Sequence, residues 1–271
     1  VIKIEELTQE QIRQKIDGMV WSFSRLSSFH NCPYEWRLKY IEGLERDNSY
    51  YGALGGFSHE VLEKFFKEEL SIFDCGDYFE QNYMDKVPYD APPNPYVDLK
   101  EKDYNLILDY FQNINFPFED YEILGVEKEI KFKVDKYEFI GYIDLLLRDK
   151  NSGKIILVDH KSSHFDYLKK GGVSKKNQEQ FDKYKKQLYL YSIPIYEEYG
   201  EYPEELRWNM FKDQQWLTVK FDENEYKETQ EWAINEIHTI EDEMLYLPNT
   251  SDSNSFYCRY LCGASYCPYR K

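Results

Sequence analysis

The chain has 271 residues, 42% of them hydrophobic and 18% aromatic, with a formal net charge of −16. That length and apolar content suffice for a substantial core, in one large domain or one domain with helical additions, and exclude a miniprotein held by disulfides alone. No apolar run of about 18 residues marks a membrane span, and no internal repeat or low-complexity tract stands out. With no signal peptide in view, the expected compartment is a reducing cytoplasm, in a bacterial, archaeal or phage-infected cell. In chain order, residues up to about 120 read as a helical region: a helix over 5–18, one after Cys32, one carrying His59, and a long one over 103–113, with a proline-rich loop at 87–95. Residues 122–161 read as a β meander. A helix over 178–199, strands at 206–211 and 215–221, a helix over 223–247 and a cysteine-bearing tail follow. The expected fold class is α/β, a mixed sheet flanked by helices, divided as 1–120, 121–221 and 222–271.

Within the meander, residues 137–149 and 154–161 are apolar, β-branched runs around the hairpin loop Lys150-Asn151-Ser152-Gly153. Alternate strand residues share a face, so Asp159 and Lys161 point one way and His160 the other. Pairing Asp149 with Lys154 brings Asp144 directly across from Asp159, and a slip of one residue would lose this. Two carboxylates at that distance repel unless a cation lies between them, and hard oxygen ligands suit Mg²⁺ or Mn²⁺. The Lys161 ammonium then has a place orienting a water or stabilising charge that develops on a phosphate. A solvated surface hairpin is the bland alternative for one D-x-K triplet.

That triplet has company. Ser22-Phe23-Ser24-Arg25-Leu26-Ser27-Ser28-Phe29 with Cys32-Pro33-Tyr34, then Gly55-Gly56-Phe57-Ser58-His59-Glu60, Gly125-Val126-Glu127, the Asp144 and Asp159-His160-Lys161 strands, Gln187-Leu188-Tyr189-Leu190-Tyr191 and three closing cysteines occur in one order over residues 21–267. In this the chain resembles the PD-(D/E)XK nuclease superfamily, and within it the RecB/AddB-type exonucleases, CRISPR-associated RecB-like ones included. The resemblance implies a restriction-endonuclease-like mixed sheet. It also implies metal held by His59, Asp144, Asp159 and the His160 carbonyl, with Lys161 acting on the attacking water. By the same resemblance Gln187 and Tyr191, four apart on one helical face, contact substrate or the lysine, although they fit equally as ordinary helix residues. A lone histidine such as His59 is, without the family, more often structural. Glu127 is left open between a place near the metals and an exposed strand carboxylate.

Five cysteines, at 32, 75, 258, 262 and 267, argue against a tidy disulfide framework, and three of them form C-x3-C-x4-C in the last fourteen residues. Four clustered thiolates hold either zinc or an iron–sulfur cluster. The resemblance implies a [4Fe–4S] cluster on Cys32, Cys258, Cys262 and Cys267, joining the N-terminal helical region to the C-terminal tail. The family's terminal spacing is C-x2-C-x5-C, and here the middle cysteine is displaced by one, which keeps zinc as the alternative. Cys75 reads as a plain thiol.

The charge of −16 is the strongest argument against a nucleic-acid enzyme, since phosphate contacts rely on Lys and Arg. Local sign differs: residues 164–190 carry seven lysines against Asp166, Glu179 and Asp182, while 222–243 is heavily acidic and reads as an outer helix face. The Gly171-Gly172 loop and its lysines are expected to border a substrate path, or else form a solvated loop. The expectation is thus a Mg²⁺- or Mn²⁺-dependent deoxyribonuclease, implied by the resemblance to act on DNA ends or single strands in recombination, repair, phage replication or CRISPR adaptation. Its partners would be a helicase, a recombinase or CRISPR adaptation proteins, with no membrane. Two other classes stand beside it: a catalytically silent nuclease-fold subunit that grips DNA or protein, and a structural metal-binding protein.

Overall fold

A computed structural model describes residues 7–270. Six helices come first: α1 (Gln9–Asp17), α2 (Phe23–Phe29), α3 (Pro33–Tyr40), α4 (Tyr50–Phe66), α5 (Asp74–Lys86) and α6 (Leu99–Gln112). Strands β1 (Tyr121–Val134), β2 (Tyr137–Asp149) and β3 (Ile155–Lys161) follow, then α7 (Gln178–Tyr199), β4 (Glu205–Met210), β5 (Gln215–Lys220) and α8 (Glu223–Asp242). The five strands form one mixed sheet in the order β1-β2-β3-β4-β5, with β3 and β4 parallel and every other pair antiparallel. A parallel pair needs a crossover, and α7 supplies it.

Strand β3 is buried from Ile155 to His160, as expected of a strand covered on both faces. Leu145, Leu147, Ile156 and Val158 pack with α4, α5 and α6, whereas Leu146, Ile155 and Leu157 pack with Leu188 and Leu190 of α7 and Ile237 of α8. The result is a sheet between two helical layers, in agreement with the α/β expectation.

The meander and α7 lie where the sequence puts them, and helix ends differ for identifiable reasons. The first helix starts at Gln9 because Thr8 forms a capping box with Gln11; positions 5 and 6 of the expected helix lie outside the described residues. Helix α6 begins four residues earlier than expected, since the Asp98 side chain accepts the Lys100 and Glu101 N–H groups. Helix α8 stops at Asp242, not at 247. Glu243 is extended, and its carboxylate takes the N–H groups of Leu245 and Tyr246 while the Tyr246 ring is buried. Helix α5, absent from the sequence reading, buries Cys75, Phe79 and Tyr83.

Candidate active site

The β2–β3 hairpin has the register that the Asp149/Lys154 pairing requires: Asp149 N–H donates to the Lys154 carbonyl at 2.9 Å, and the ladder runs to Leu145 opposite Val158. Continuing the alternation would join Ile143 and His160 by main-chain bonds. Instead the His160 N–H donates to the Asp144 carboxylate at 2.7 Å. The ladder therefore opens where Asp144 and Asp159 stand abreast.

Glu127 extends this row onto β1. Its strand pairs Val126 with Leu145 and Lys128 with Ile143, so Glu127 falls opposite Asp144, and a register shift between Ile123 and Gly125 sets that alignment. Glu127 has φ +47°, a left-handed conformation that is strained for a residue with a side chain, and such strain collects at functional sites. Glu127, Asp144 and Asp159 thus come from three neighbouring strands at one level.

His59 reaches the row from the other layer, on α4. Its Nε2–H donates to the His160 carbonyl at 3.0 Å, while Nδ1 lies 3.8 Å from Glu127 and 3.7 Å from Asp144. Ligand atoms of His59, Glu127 and Asp144 all fall within 4.8 Å of one another. Burial works against charge on His59, but Glu127 and Asp144 outweigh it and raise its pKa. Burial likewise raises Asp144, against the pull of His59 and Lys161, and pushes Asp159 up to about 6. Carboxylates that protonate this readily are ones to which a cation would be welcome. An oxygen-rich set with one imidazole fits a divalent ion such as Mg²⁺ or Mn²⁺.

Lys161 faces the same side as Asp159, whose two oxygens lie 3.0 and 2.7 Å from its Nζ. The ammonium also donates to Gln187 Oε1 at 3.0 Å and lies 4.7 Å from the centre of the Tyr184 ring. Burial opposes its charge, yet Asp159 and Asp144 hold its pKa above the usual lysine range. Tyr191, one turn beyond Gln187, is pushed up to about 12, mainly by burial. Its ring lies close against β2: a Cβ at Gly141 would come within 2.6 Å of it. The His160 imidazole points away, stacked on Phe66 and accepting from Asn209 Nδ2 at 3.2 Å.

The structure thus brings His59, Asp144, Asp159, Lys161, Gln187, Tyr191 and the His160 carbonyl to one place. Glu127 belongs with them, although nothing in its sequence context reveals a positive φ. Tyr184 was missed, and its spacing from Gln187 and Tyr191 on one face of α7 was the available signal.

A second constellation lies at the chain ends. Cys32, Cys258, Cys262 and Cys267, all free, line one pocket with Glu35 and Tyr257. The tail is fixed there by Asp47 N–H to Gly263 O (2.8 Å), Arg46 to Leu261 O (3.0 Å) and Tyr266 to Glu45 O (3.2 Å). Among the described residues, no three of these sulfurs lie within 4.8 Å of one another. A single tetrahedral zinc, about 2.3 Å from each sulfur, would set them about 3.8 Å apart. Burial pushes the Cys262 thiol up to about 11. Cys75 stands apart, buried, with its Sγ donating to the Ser71 carbonyl.

A family profile described as the PD-(D/E)XK nuclease superfamily matches residues 20–271. The chain belongs to the PD-(D/E)XK nuclease superfamily. Membership in it supports a nuclease activity, and nucleases of the superfamily typically use divalent metals. No curated protein matches the sequence at a significant level. Among solved structures, an exonuclease candidate from Eubacterium rectale is similar over 89% of this chain and 86% of that one, at 12% identity and a TM-score of 0.46. Among the described residues no helix of this superfamily member is long and apolar enough to cross a membrane.

Proposed function

We propose that this protein is a divalent-metal-dependent deoxyribonuclease of RecB/AddB type, hydrolysing phosphodiester bonds at DNA ends or in single strands. One observation carries the reading: Asp144 and Asp159 abreast, with His59 and Glu127 beside Asp144 and the Lys161 ammonium 2.7 Å from Asp159. His59, Glu127, Asp144, Asp159 and the His160 carbonyl would hold the metal. When bound, the ion supplies a water of lowered pKa and offsets phosphate charge. Lys161, kept protonated by its carboxylate neighbours, stabilises negative charge that develops on the phosphate and orients the attacking water. Gln187 and the Tyr184 ring fix where that ammonium points, and Tyr191 seals the site against β2.

The Cys32, Cys258, Cys262 and Cys267 pocket is read as a [4Fe–4S] site, ahead of zinc. Support comes from four free cysteines that line one pocket, the donor set that the resemblance assigns to such a cluster.

The test is cleavage of end-labelled single- and double-stranded DNA with Mg²⁺, Mn²⁺ or EDTA, comparing anaerobically purified wild type with Asp159→Ala. Metal-dependent degradation lost in the variant supports the reading, and product lengths separate exonuclease from endonuclease action. Cleavage that persists undiminished in the variant sinks the site assignment.

A further inference from the structure

Between β3 and α7 the chain forms an ordered arm. Ser174 N–H donates to Asp166 O at 2.7 Å, Leu168 N–H to Gly172 O at 3.0 Å and Gly171 N–H to Leu168 O at 2.9 Å, while Tyr167 and Val173 pair as an antiparallel bridge. Gly171 and Gly172, with φ of +92° and +79°, turn the tip.

The root of the arm is fastened by one buried carboxylate. Asp213, in the turn between β4 and β5, accepts from His164 Nδ1 at 2.6 Å, the Phe165 N–H at 2.8 Å and the Tyr167 hydroxyl at 2.7 Å. On the other limb, Asn177 Oδ1 accepts the Asp166 N–H and the Ser174 hydroxyl. From this root, contacts run straight into the candidate active site. The Phe165 ring stacks on Tyr184 at 5.7 Å, and Lys161 Nζ lies over that same Tyr184 ring.

Charge on the arm is opposite to charge on the molecule. Among the described residues, the side chains of Lys169, Lys170 and Lys175 make no ion pair or hydrogen bond, whereas Lys131, Lys133 and Lys154 are paired with Glu129, Glu138 and Glu201. Beside Lys169, at the tip, Leu168 is 53% exposed. Uncompensated cations around an exposed apolar side chain match a DNA end: phosphates for the lysines, and the face of a terminal base for an apolar wedge.

We propose that the arm over 164–177 grips DNA where a strand enters the site, with Lys169, Lys170 and Lys175 on backbone phosphates and Leu168 packed against the terminal base pair. This rests on the nuclease reading, and it names the substrate feature recognised, a duplex end.

The test reads binding without cleavage. A fluorescent duplex carrying a single-stranded extension is titrated in EDTA over a salt series. Lys169→Glu/Lys170→Glu is expected to weaken binding about tenfold and to flatten the salt dependence by about two phosphate contacts. Lys131→Glu/Lys133→Glu makes the same change in net charge and leaves both quantities as in wild type. Equal losses in the two variants, no loss in the arm variant, or no binding by wild type would each overturn the proposal. With 2-aminopurine at the terminal pair, wild type brightens the probe and Leu168→Ala does not; equal brightening removes the wedge. A protein that binds through the arm yet never cuts with any metal would uphold this inference and sink the nuclease reading.

Discussion

The Asp144 carboxylate accepts the His160 N–H at 2.7 Å, taking the place of a main-chain partner at the point where the β2–β3 ladder ends. In the proposed site this one side chain would have two tasks, closing the hairpin and offering a metal ligand.

Asn at this position separates those tasks, because an amide oxygen accepts the same bond without charge. Asp144→Asn is expected to melt in EDTA at or above the wild-type temperature, since an uncomfortable buried charge is gone. Its cleavage rate falls at least ~10³-fold, the scale of several kcal/mol lost with a metal ligand. An EDTA melting point well below wild type would show that the charge itself holds the hairpin.

In the proposed site, Asp159 is expected to make metal stabilisation depend on pH. Its folded pKa of about 6 lies above the unfolded carboxylate value, so between roughly pH 4 and 6 the native state binds more protons than the unfolded one. In the metal-free protein this group's contribution therefore falls as pH rises through that window. A cation that replaces the proton stabilises more at pH 7 than at pH 5, and the raised pKa of His59 acts in the same direction. Melting curves with and without Mn²⁺ at both pH values check this in wild type and Asp159→Asn. A shift of equal size at pH 5 and pH 7 in wild type contradicts it.

Gly141 is where β2 meets the Tyr191 ring. In Gly141→Ala the new Cβ must displace that ring, at a cost of about 1–3 kcal/mol by overpacking. Gln187, one turn away on α7, moves with it, so cleavage falls more than denaturant stability alone explains. Adding Tyr191→Leu restores stability in urea without restoring the rate. If Gly141→Ala melts like wild type, the ring is more mobile than its burial suggests.

For the four-cysteine pocket, protein purified without oxygen is expected to carry a broad visible absorption that Cys32→Ser, Cys258→Ser, Cys262→Ser and Cys267→Ser each abolish. Cys75→Ser, remote from that pocket, keeps it. Colourless wild type with one equivalent of zinc by elemental analysis would replace the cluster with a zinc site.

Much of the sheet was legible because its central strands are apolar, β-branched runs bounded by turn residues, as strands buried on both faces are. β2 and α7 appear at the bounds expected, and the register followed from the Lys150-to-Gly153 loop alone. Helix ends were less legible, since side chains such as Asp98 and Glu243 decide them by capping or by capturing N–H groups beyond the pattern. In the candidate site, Asp144, Asp159 and Lys161 lie on two strands joined by a short loop, and their relation could be counted out. Glu127 could not, because its place depends on a register shift and a left-handed φ that leave no mark in composition. Asp213, which fastens the arm, lies 49 residues from His164, a separation at which spacing says nothing.

Glu127, Asp144 and Asp159 come from adjacent strands at one level, so the gap between them is the distance between neighbouring strands, about 4.8 Å. The ruler of this site is the hydrogen-bonded backbone. Truncating a core leucine behind it would make the protein easier to unfold yet leave that gap unaltered, so the core can drift widely in sequence while the width of the proposed metal cradle stays constant.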